Sequence, residues 1–310
     1  MDNLTDRAVG ALLGAAAGDA LGAPYEFGPP LPDDHPVGMI GGGSFGWEPG
    51  EWTDDTAMAV PLAQTLAAGW SLTDEDTLDQ VVAAWASWAQ TAKDVGVQTR
   101  QVLGRLREPT AAAARAAATE LHERTGRTAG NGSLMRTGPV SLGYLADGAE
   151  PALATAARTV SELTHYDPEA GDACVLWCLA VRHAVRTGEC DLIGQLPWLP
   201  ATRREVWAAR ITAAEAGDPR DFAHNGWVVE ALQAAWSAVV SGDGLAAVLQ
   251  RAVRGGRDTD TVAAIAGALA GAGYGASALP EEWLAVLHGW PGLDAEALAG
   301  LARAALQRPA

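Results

Sequence analysis

Two short segments concentrate oxygen ligands: Trp52-Thr53-Asp54-Asp55-Thr56 and Arg257-Asp258-Thr259-Asp260-Thr261. Each sets two carboxylates beside hydroxyls, and each runs directly into an apolar stretch with helical spacing. Clustered carboxylate oxygens are what hard divalent cations bind. Four Asp charges would balance two such ions, and two metals about 3.5–4 Å apart can activate a water between them. The pair therefore reads as the halves of a dinuclear Mg²⁺ or Mn²⁺ site. The same residues have a plainer use, since Asp and Thr are good N-caps and acidic side chains favour the first helical turn. Pattern alone leaves both uses open. The recurrence of a hydroxyl-rich cluster far along the chain favours the metal.

Further chemistry lies in loops and at helix ends, where a rigid scaffold usually presents function. Glu26 sits in a long Gly/Pro-rich stretch from Gly22 to Trp52, and long loops inside compact domains are usually functional. The segment Thr128 to Gly138 contains Gly130-Asn131-Gly132-Ser133-Leu134-Met135-Arg136, whose backbone N–H groups could cradle phosphate oxygens as a nest. His165, in Thr164-His165-Tyr166-Asp167-Pro168, falls at a helix end as a C-cap or a ligand-facing donor. Asp94, next to Gly96, lies between helices and has a turn or N-cap use as its alternative.

The elements that must hold these residues are helical. The patterning predicts helices over 5–21, 53–68, 71–92, 98–107, 110–125, 139–147, 151–164, 168–188, 202–216, 226–241, 243–253, 260–272, 281–289 and 293–306. Only short runs alternate with period two, so strands should be rare. No linker or composition shift divides the 310 residues, which predicts one all-α domain over 1–310. The net charge of −17 with no basic block makes nucleic-acid backbones and anionic membranes poor partners for the bulk surface. An anionic ligand would need a local site of backbone N–H groups, a metal or a few Arg. Lys93 is the only lysine. The three cysteines, Cys174, Cys178 and Cys190, have no His at zinc-like spacing and read as small apolar residues. No signal peptide or bilayer-length apolar run is visible, so a cytoplasmic protein is expected.

Five segments together resemble the ADP-ribosylglycohydrolase family, which includes the dinitrogenase reductase-activating glycohydrolase and the vertebrate ADP-ribosyl hydrolases. They are Gly10 through Phe27 with its Gly18-Asp19-Ala20-Leu21-Gly22 centre, Trp52 to Thr56, the Gly130–Arg136 loop, Thr164-His165 and Gly256 to Thr261, in the family's order. The resemblance implies a compact, single-domain, multi-helix fold with two divalent cations, Mg²⁺ or Mn²⁺. It implies metal ligation by Thr53, Asp54, Asp55, Asp258, Asp260 and Thr261. It implicates Glu26 in metal binding, substrate gating or both, and counts Glu26, Asp55 and Asp94 as candidate catalytic groups. Gly96, Asn131, Gly132, Ser133, Met135 and His165 are the implied ADP-ribose contacts. The implied activity is hydrolysis of the C1″ ribosyl bond of an ADP-ribosylated protein or other conjugate by a monomer, releasing ADP-ribose. A non-catalytic ADP-ribose binder and a hydrolase of another nucleotide diphosphate are the rival expectations. Arg257 stands where many members carry Gly, and a basic residue there could pair with an Asp or point outward.

Overall fold

The computed structural model describes residues 2–308. Its centre is an antiparallel pair of small-residue helices, α1 (Asn3–Gly22) and a later helix over Thr259–Tyr274. Gly10, Gly14, Gly18 and Gly22 repeat every four residues and so line one stripe of α1. A Cβ on Gly10 would lie 2.2 Å from the Gly271 carbonyl oxygen, and one on Gly14 would lie 2.3 Å from that of Gly267. Backbone therefore packs on backbone. At the C-terminal end of α1, Gly22 meets Asp260 and Thr259 in the same way, and Thr259 Oγ1 donates to the Gly22 carbonyl at 2.8 Å.

Around this pair run α2 (Asp54–Ala67), α3 (Glu75–Trp88), α4 (Val97–Leu103), α5 (Ala111–Thr125), the one-turn α6 (Leu134–Thr137), α7 (Glu150–Glu162) and α8 (Pro168–Thr187). They are followed by α9 (Ala201–Ala216), α10 (Val228–Ser241), α11 (Leu245–Arg254), α12 (Thr259–Tyr274), the short α13 (Glu281–Leu284) and α14 (Ala295–Gln307). The fold is all-α. Among the described residues the sheet is a single antiparallel pair of two-residue strands, β1 (His288–Gly289) and β2 (Leu293–Asp294). A contiguous apolar core runs from Ala8 to Ala305 and takes in Trp52, Trp85, Trp177 and Trp207. The indoles of these four find acceptors: Trp85 donates to the Met58 carbonyl at 2.9 Å and Trp177 to that of Ile265 at 3.1 Å, whereas the buried Trp47 Nε1 has none among the described residues. Cys174 and Cys178 are free and buried in α8. No helix among the described residues is long and apolar enough to cross a membrane.

Two expectations about elements need correction. The glycine-rich stretch expected to stay a loop to Gly138 turns helical at Asn131, as a 3₁₀ turn over Asn131–Ser133 that leads into α6 and a second 3₁₀ run, Gly138–Tyr144. The helix expected over 281–289 stops at Leu284, and residues 288–289 pair as β1 instead. Gly50 explains part of this, because its carbonyl accepts from His288 N at 3.0 Å and pulls that segment out of helical geometry.

Candidate active site

The α1–α12 contact delivers two carboxylates to one place. Asp19 is on the last turns of α1 and Asp260 on the first turn of α12, and with Asp55 of α2 they offer oxygens within 4.8 Å of one another. Asp19 is fully buried and orders the start of α2 from another helix. Its Oδ1 accepts from Thr53 N at 2.8 Å, and its Oδ2 accepts from Thr56 N at 2.9 Å and Thr56 Oγ1 at 2.7 Å. Thr53, at the N-cap position, makes no cap bond of its own. Asp19 thus satisfies helix-end donors that the local sequence leaves free, and the Thr53, Asp54 and Asp55 side chains face the cluster. Thr53 Oγ1 lies 3.0 Å from Asp55 Oδ2, 3.4 Å from Asp260 Oδ2 and 3.5 Å from Asp54 Oδ1. Thr261 Oγ1 reaches Asp55 Oδ2 from the other side at 3.5 Å.

A second group, Glu26, Asp258 and Asp260, also brings oxygens within 4.8 Å. The loop bearing Glu26 is tied to the α12 entrance by two backbone bonds, Phe27 N to the Arg257 carbonyl at 2.6 Å and Arg257 N to the Gly28 carbonyl at 2.7 Å. Arg257 adopts the left-handed region at φ 66°, a backbone conformation that glycine takes without strain. Its guanidinium turns to the carbonyls of Arg220 and Gly255, away from the carboxylates.

No ion pair among the described residues includes Asp19, Glu26, Asp54, Asp55, Asp94, Asp258 or Asp260. Burial, reinforced by mutual repulsion, drives their protonation upward: Asp54 to about 7 and Glu26 to about 9, with Asp55 and Asp260 well above the usual carboxylate range. Burial also raises Asp19, to about 6, against the three hydrogen bonds that favour its charge. Asp55 Oδ1 is buried and has no partner. Bare oxygens, hydroxyls beside them and no compensating cation form a donor set suited to hard divalent ions.

The cluster forms one end of a cavity of about 590 Å³, within the range for small-molecule sites. Glu26, Asp54, Asp94, Asp258, Asp260 and Thr261 line that end. Gly96, Gly130, Asn131, Gly132, Met135 and His165 line the rest, with Phe27 and Arg127 also on the wall.

The ADP-ribosylglycohydrolase family profile matches residues 1–310. The chain belongs to the ADP-ribosylglycohydrolase family. ADP-ribosylarginine hydrolase Tri1 of Pseudomonas putida (strain GB-1) is 33% identical over 287 residues, covering 90% of this chain and 73% of the relative. ADP-ribosyl-[dinitrogen reductase] glycohydrolase of Rhodospirillum rubrum is 33% identical over 298 residues, with 91% and 90% covered. A solved structure titled ADP-ribosylglycohydrolase-related protein complex superposes with a TM-score of 0.74 at 30% identity, covering 100% of both chains.

Of the ADP-ribosylglycohydrolase residues expected from sequence, Thr53, Asp54, Asp55, Asp258, Asp260 and Thr261 converge, and Glu26 and Asp94 stand at the cavity wall beside them. Ser133 does not reach the cavity by its side chain. It is fully buried, and its Oγ accepts from Ser161 Oγ at 3.0 Å. Asn131 turns its amide to the acids, where Nδ2 donates to Asp258 Oδ2 at 2.7 Å and to the Asn225 carbonyl at 2.8 Å. The expected phosphate nest is not built. Neither Gly130 nor Gly132 has a positive φ, and Asn131 N is spent on the Gly226 carbonyl at 3.1 Å. The amides of Gly132 and Ser133 are instead first-turn donors of a helical run.

Sequence reasoning passed over Asp19, Asn225, Gln98 and Arg136 as site residues. Asn225 accepts from Asp258 N at 3.3 Å and donates to the Gly256 carbonyl at 3.0 Å, steadying the α12 entrance. Gln98 joins two loops by donating to the Thr128 and Thr164 carbonyls at 3.0 and 2.9 Å. The available signal for Asp19 was an acidic residue inside the Ala/Gly-rich stretch of a helix, which needs a buried partner to be tolerated.

Proposed function

We propose that this chain is a divalent-cation-dependent hydrolase that cleaves the C1″ ribosyl bond of ADP-ribosylated substrates, releases ADP-ribose and so reverses ADP-ribosylation. The observation that carries this reading is the uncompensated carboxylate cluster at one end of the cavity, in a chain of this family. Thr53, Asp54, Asp55, Asp258, Asp260 and Thr261 would hold the ions, supported by Asp19 and Asn131 as hydrogen-bonding partners. When bound, such ions act as Lewis acids on oxygen ligands and make water a better nucleophile.

The chain's own residues account for the remaining requirements. Cleaving a ribosyl bond builds oxocarbenium character, which nearby carboxylates stabilise, and the leaving group needs a proton. Glu26 and Asp94 are the carboxyl groups at this end of the cavity that are only partly buried and outside the proposed ligand set. Burial and its acidic neighbours raise the Glu26 carboxyl in the metal-free protein, and a carboxyl placed at the cavity wall is of the kind that carries protons in catalysis. Arg127 on the cavity wall supplies a donor for a diphosphate, and the exposed ring of Phe27 supplies an apolar face for a base.

Relatives named ADP-ribosylarginine hydrolase make an arginine conjugate the first substrate to try. The test is a panel of defined conjugates on arginine, serine and an O-acetyl ester, each with Mg²⁺ or Mn²⁺ and with EDTA. Cation-dependent release of ADP-ribose supports the proposal. Release of AMP would mark cleavage of the diphosphate instead, and binding without turnover across the panel would mark a non-catalytic receptor.

A further inference from the structure

Arg136 is completely buried, and no carboxylate pairs with it among the described residues. Its guanidinium stacks 4.1 Å from the centre of the Trp85 ring, and Nη1 reaches Met58 Sδ at 3.7 Å. Its Nη2 donates to the Val160 carbonyl at 3.3 Å and, more closely, to Thr164 Oγ1 at 2.7 Å. Thr164 is also fully buried, and its Oγ1 has one further neighbour, His165 Nδ1 at 2.7 Å. A guanidinium has only donors, so Thr164 Oγ1 must accept from Arg136. The single hydroxyl proton then has one acceptor within reach, the Nδ1 lone pair. Were the ring proton on Nδ1, the Thr164 hydrogen would be stranded in a dry interior, which native structures avoid. The ring proton therefore sits on Nε2. That atom lies beside the glycine-rich turn, where a Cβ on Gly130 or Gly132 would come within 3.3 or 3.2 Å of it. The ring lines the cavity, and Nε2 has no hydrogen-bond partner among the described residues.

We propose that Arg136 is a positioning residue that acts through Thr164 to fix His165 as a neutral imidazole protonated on Nε2, so that the ring enters the cavity as a hydrogen-bond donor to a phosphate or hydroxyl oxygen. This assigns His165 neither the role of a base nor that of a metal ligand. Burial and the Arg136 charge both hold the ring well below the usual histidine range, consistent with a neutral ring at physiological pH. The tautomer assignment stands on the protein alone. Only the identity of the bound oxygen rests on the ADP-ribose reading.

The test is ring-nitrogen NMR on protein labelled with ¹⁵N at its six histidines, with His165 assigned by the signal lost in His165→Gln. The expected spectrum shows a bare Nδ1 and a protonated Nε2, unchanged between about pH 6 and about pH 8. The pattern should persist in Arg136→Lys, which still donates, and become a tautomer mixture in Arg136→Met. A proton on Nδ1 in the wild type overturns the proposal, as does an unmixed Nε2–H ring in folded Arg136→Met. Should the Met variant not fold, calorimetry with ADP-ribose on two Thr164 variants decides. Thr164→Val should bind about five- to tenfold more weakly and Thr164→Ser within about twofold of wild type. Equal affinities in the two variants overturn the relay. Wild-type protein that binds no ADP-ribose at all sinks the proposed activity and leaves the tautomer to the spectra.

Discussion

Asp172 and Asp55 are each 1% exposed, yet the protein treats them in opposite ways. Asp172, in α8, is fully answered. Arg158 Nη2 meets Oδ1 at 2.6 Å, Arg203 Nε meets Oδ2, and Trp207 Nε1 donates to Oδ2 at 3.1 Å. Even the neighbouring Gly171 serves this pairing, because a Cβ there would lie 2.4 Å from Arg158 Nη1. Asp55 has two threonine hydroxyls on one oxygen and nothing on the other, and its charged neighbours are all acids. Burying a charge is costly unless it is paired. A chain that can build an arginine cage for one buried carboxylate has left several others without a cation, all at one cavity. The first arrangement is finished in the polypeptide, and the second is the one the proposed function fills with cations.

The largest expected effect breaks the second arrangement. Asp54→Ala or Asp260→Ala should lower cation-dependent turnover by at least about 10³-fold, or roughly 4 kcal/mol of transition-state stabilisation. The metal-free variants should melt no lower than metal-free wild type, since one of several repelling carboxylates is gone. Turnover near wild type in either variant, or wild-type turnover that persists in EDTA, would remove the metal from the account.

Asp172→Ala should do the reverse. It leaves two guanidiniums and an indole without their acceptor, and breaking a buried pair costs about 3–5 kcal/mol. Arg158 and Arg203 are about a third exposed and can rehydrate, which puts the loss near about 3 kcal/mol. Urea denaturation should find the same loss with Mg²⁺ and with EDTA, while the remaining folded protein keeps its specific activity. A loss confined to one of those conditions would contradict the division between the two sites.

Glu26 tests the cavity wall between these extremes. Glu26→Gln should keep ADP-ribose affinity within about tenfold, or ~1.4 kcal/mol, because the other donors and acids remain. Turnover should fall about 10²-fold or more, the usual worth of a positioned proton carrier. Parallel losses of binding and turnover would instead make Glu26 an anchor for substrate or metal.

This contrast also shows what the sequence could disclose. Thr53-Asp54-Asp55 and Asp258-Thr259-Asp260-Thr261 were legible because their chemistry is local, with several oxygens at one helix start. The all-α architecture was legible from periodicity, and the tight packing of α1 from its glycines. Asp19 was opaque because its role depends on which helix start packs beside it, here Thr53 and Thr56. The Asp172 cage was opaque for the same reason, as Arg158 and Arg203 come from other helices. The 130–133 segment misled because Gly and Asn are loop formers by composition. Its contacts with Gly226 and Trp227 determine its path, and the helical run begins where those contacts end.

The smallest expected effect is also the most direct measure of whether the acid cluster is uncompensated. Asp19, Asp54 and Glu26 have folded-state values of about 6, about 7 and about 9, all above the ordinary 3.8 of Asp and 4.5 of Glu. Between the ordinary value and the raised one, the folded protein holds a proton that the unfolded chain has released. Stability from this source is therefore complete below about pH 4 and declines as pH climbs through the raised values. Metal-free protein should lose several degrees of Tm between about pH 6 and about pH 9. In the proposed site Mg²⁺ or Mn²⁺ would take the place of those protons, and an ion that binds only the folded state stabilises it by mass action. Saturating cation should then flatten the decline, with its largest Tm increment at the alkaline end where the bare acids repel most. Differential scanning fluorimetry across that range, in EDTA and in each cation, reads both slopes. A Tm in EDTA that is level or rises with pH would mean that the cluster is already compensated, as Asp172 is, and the distinction between the two buried acid sites would fail.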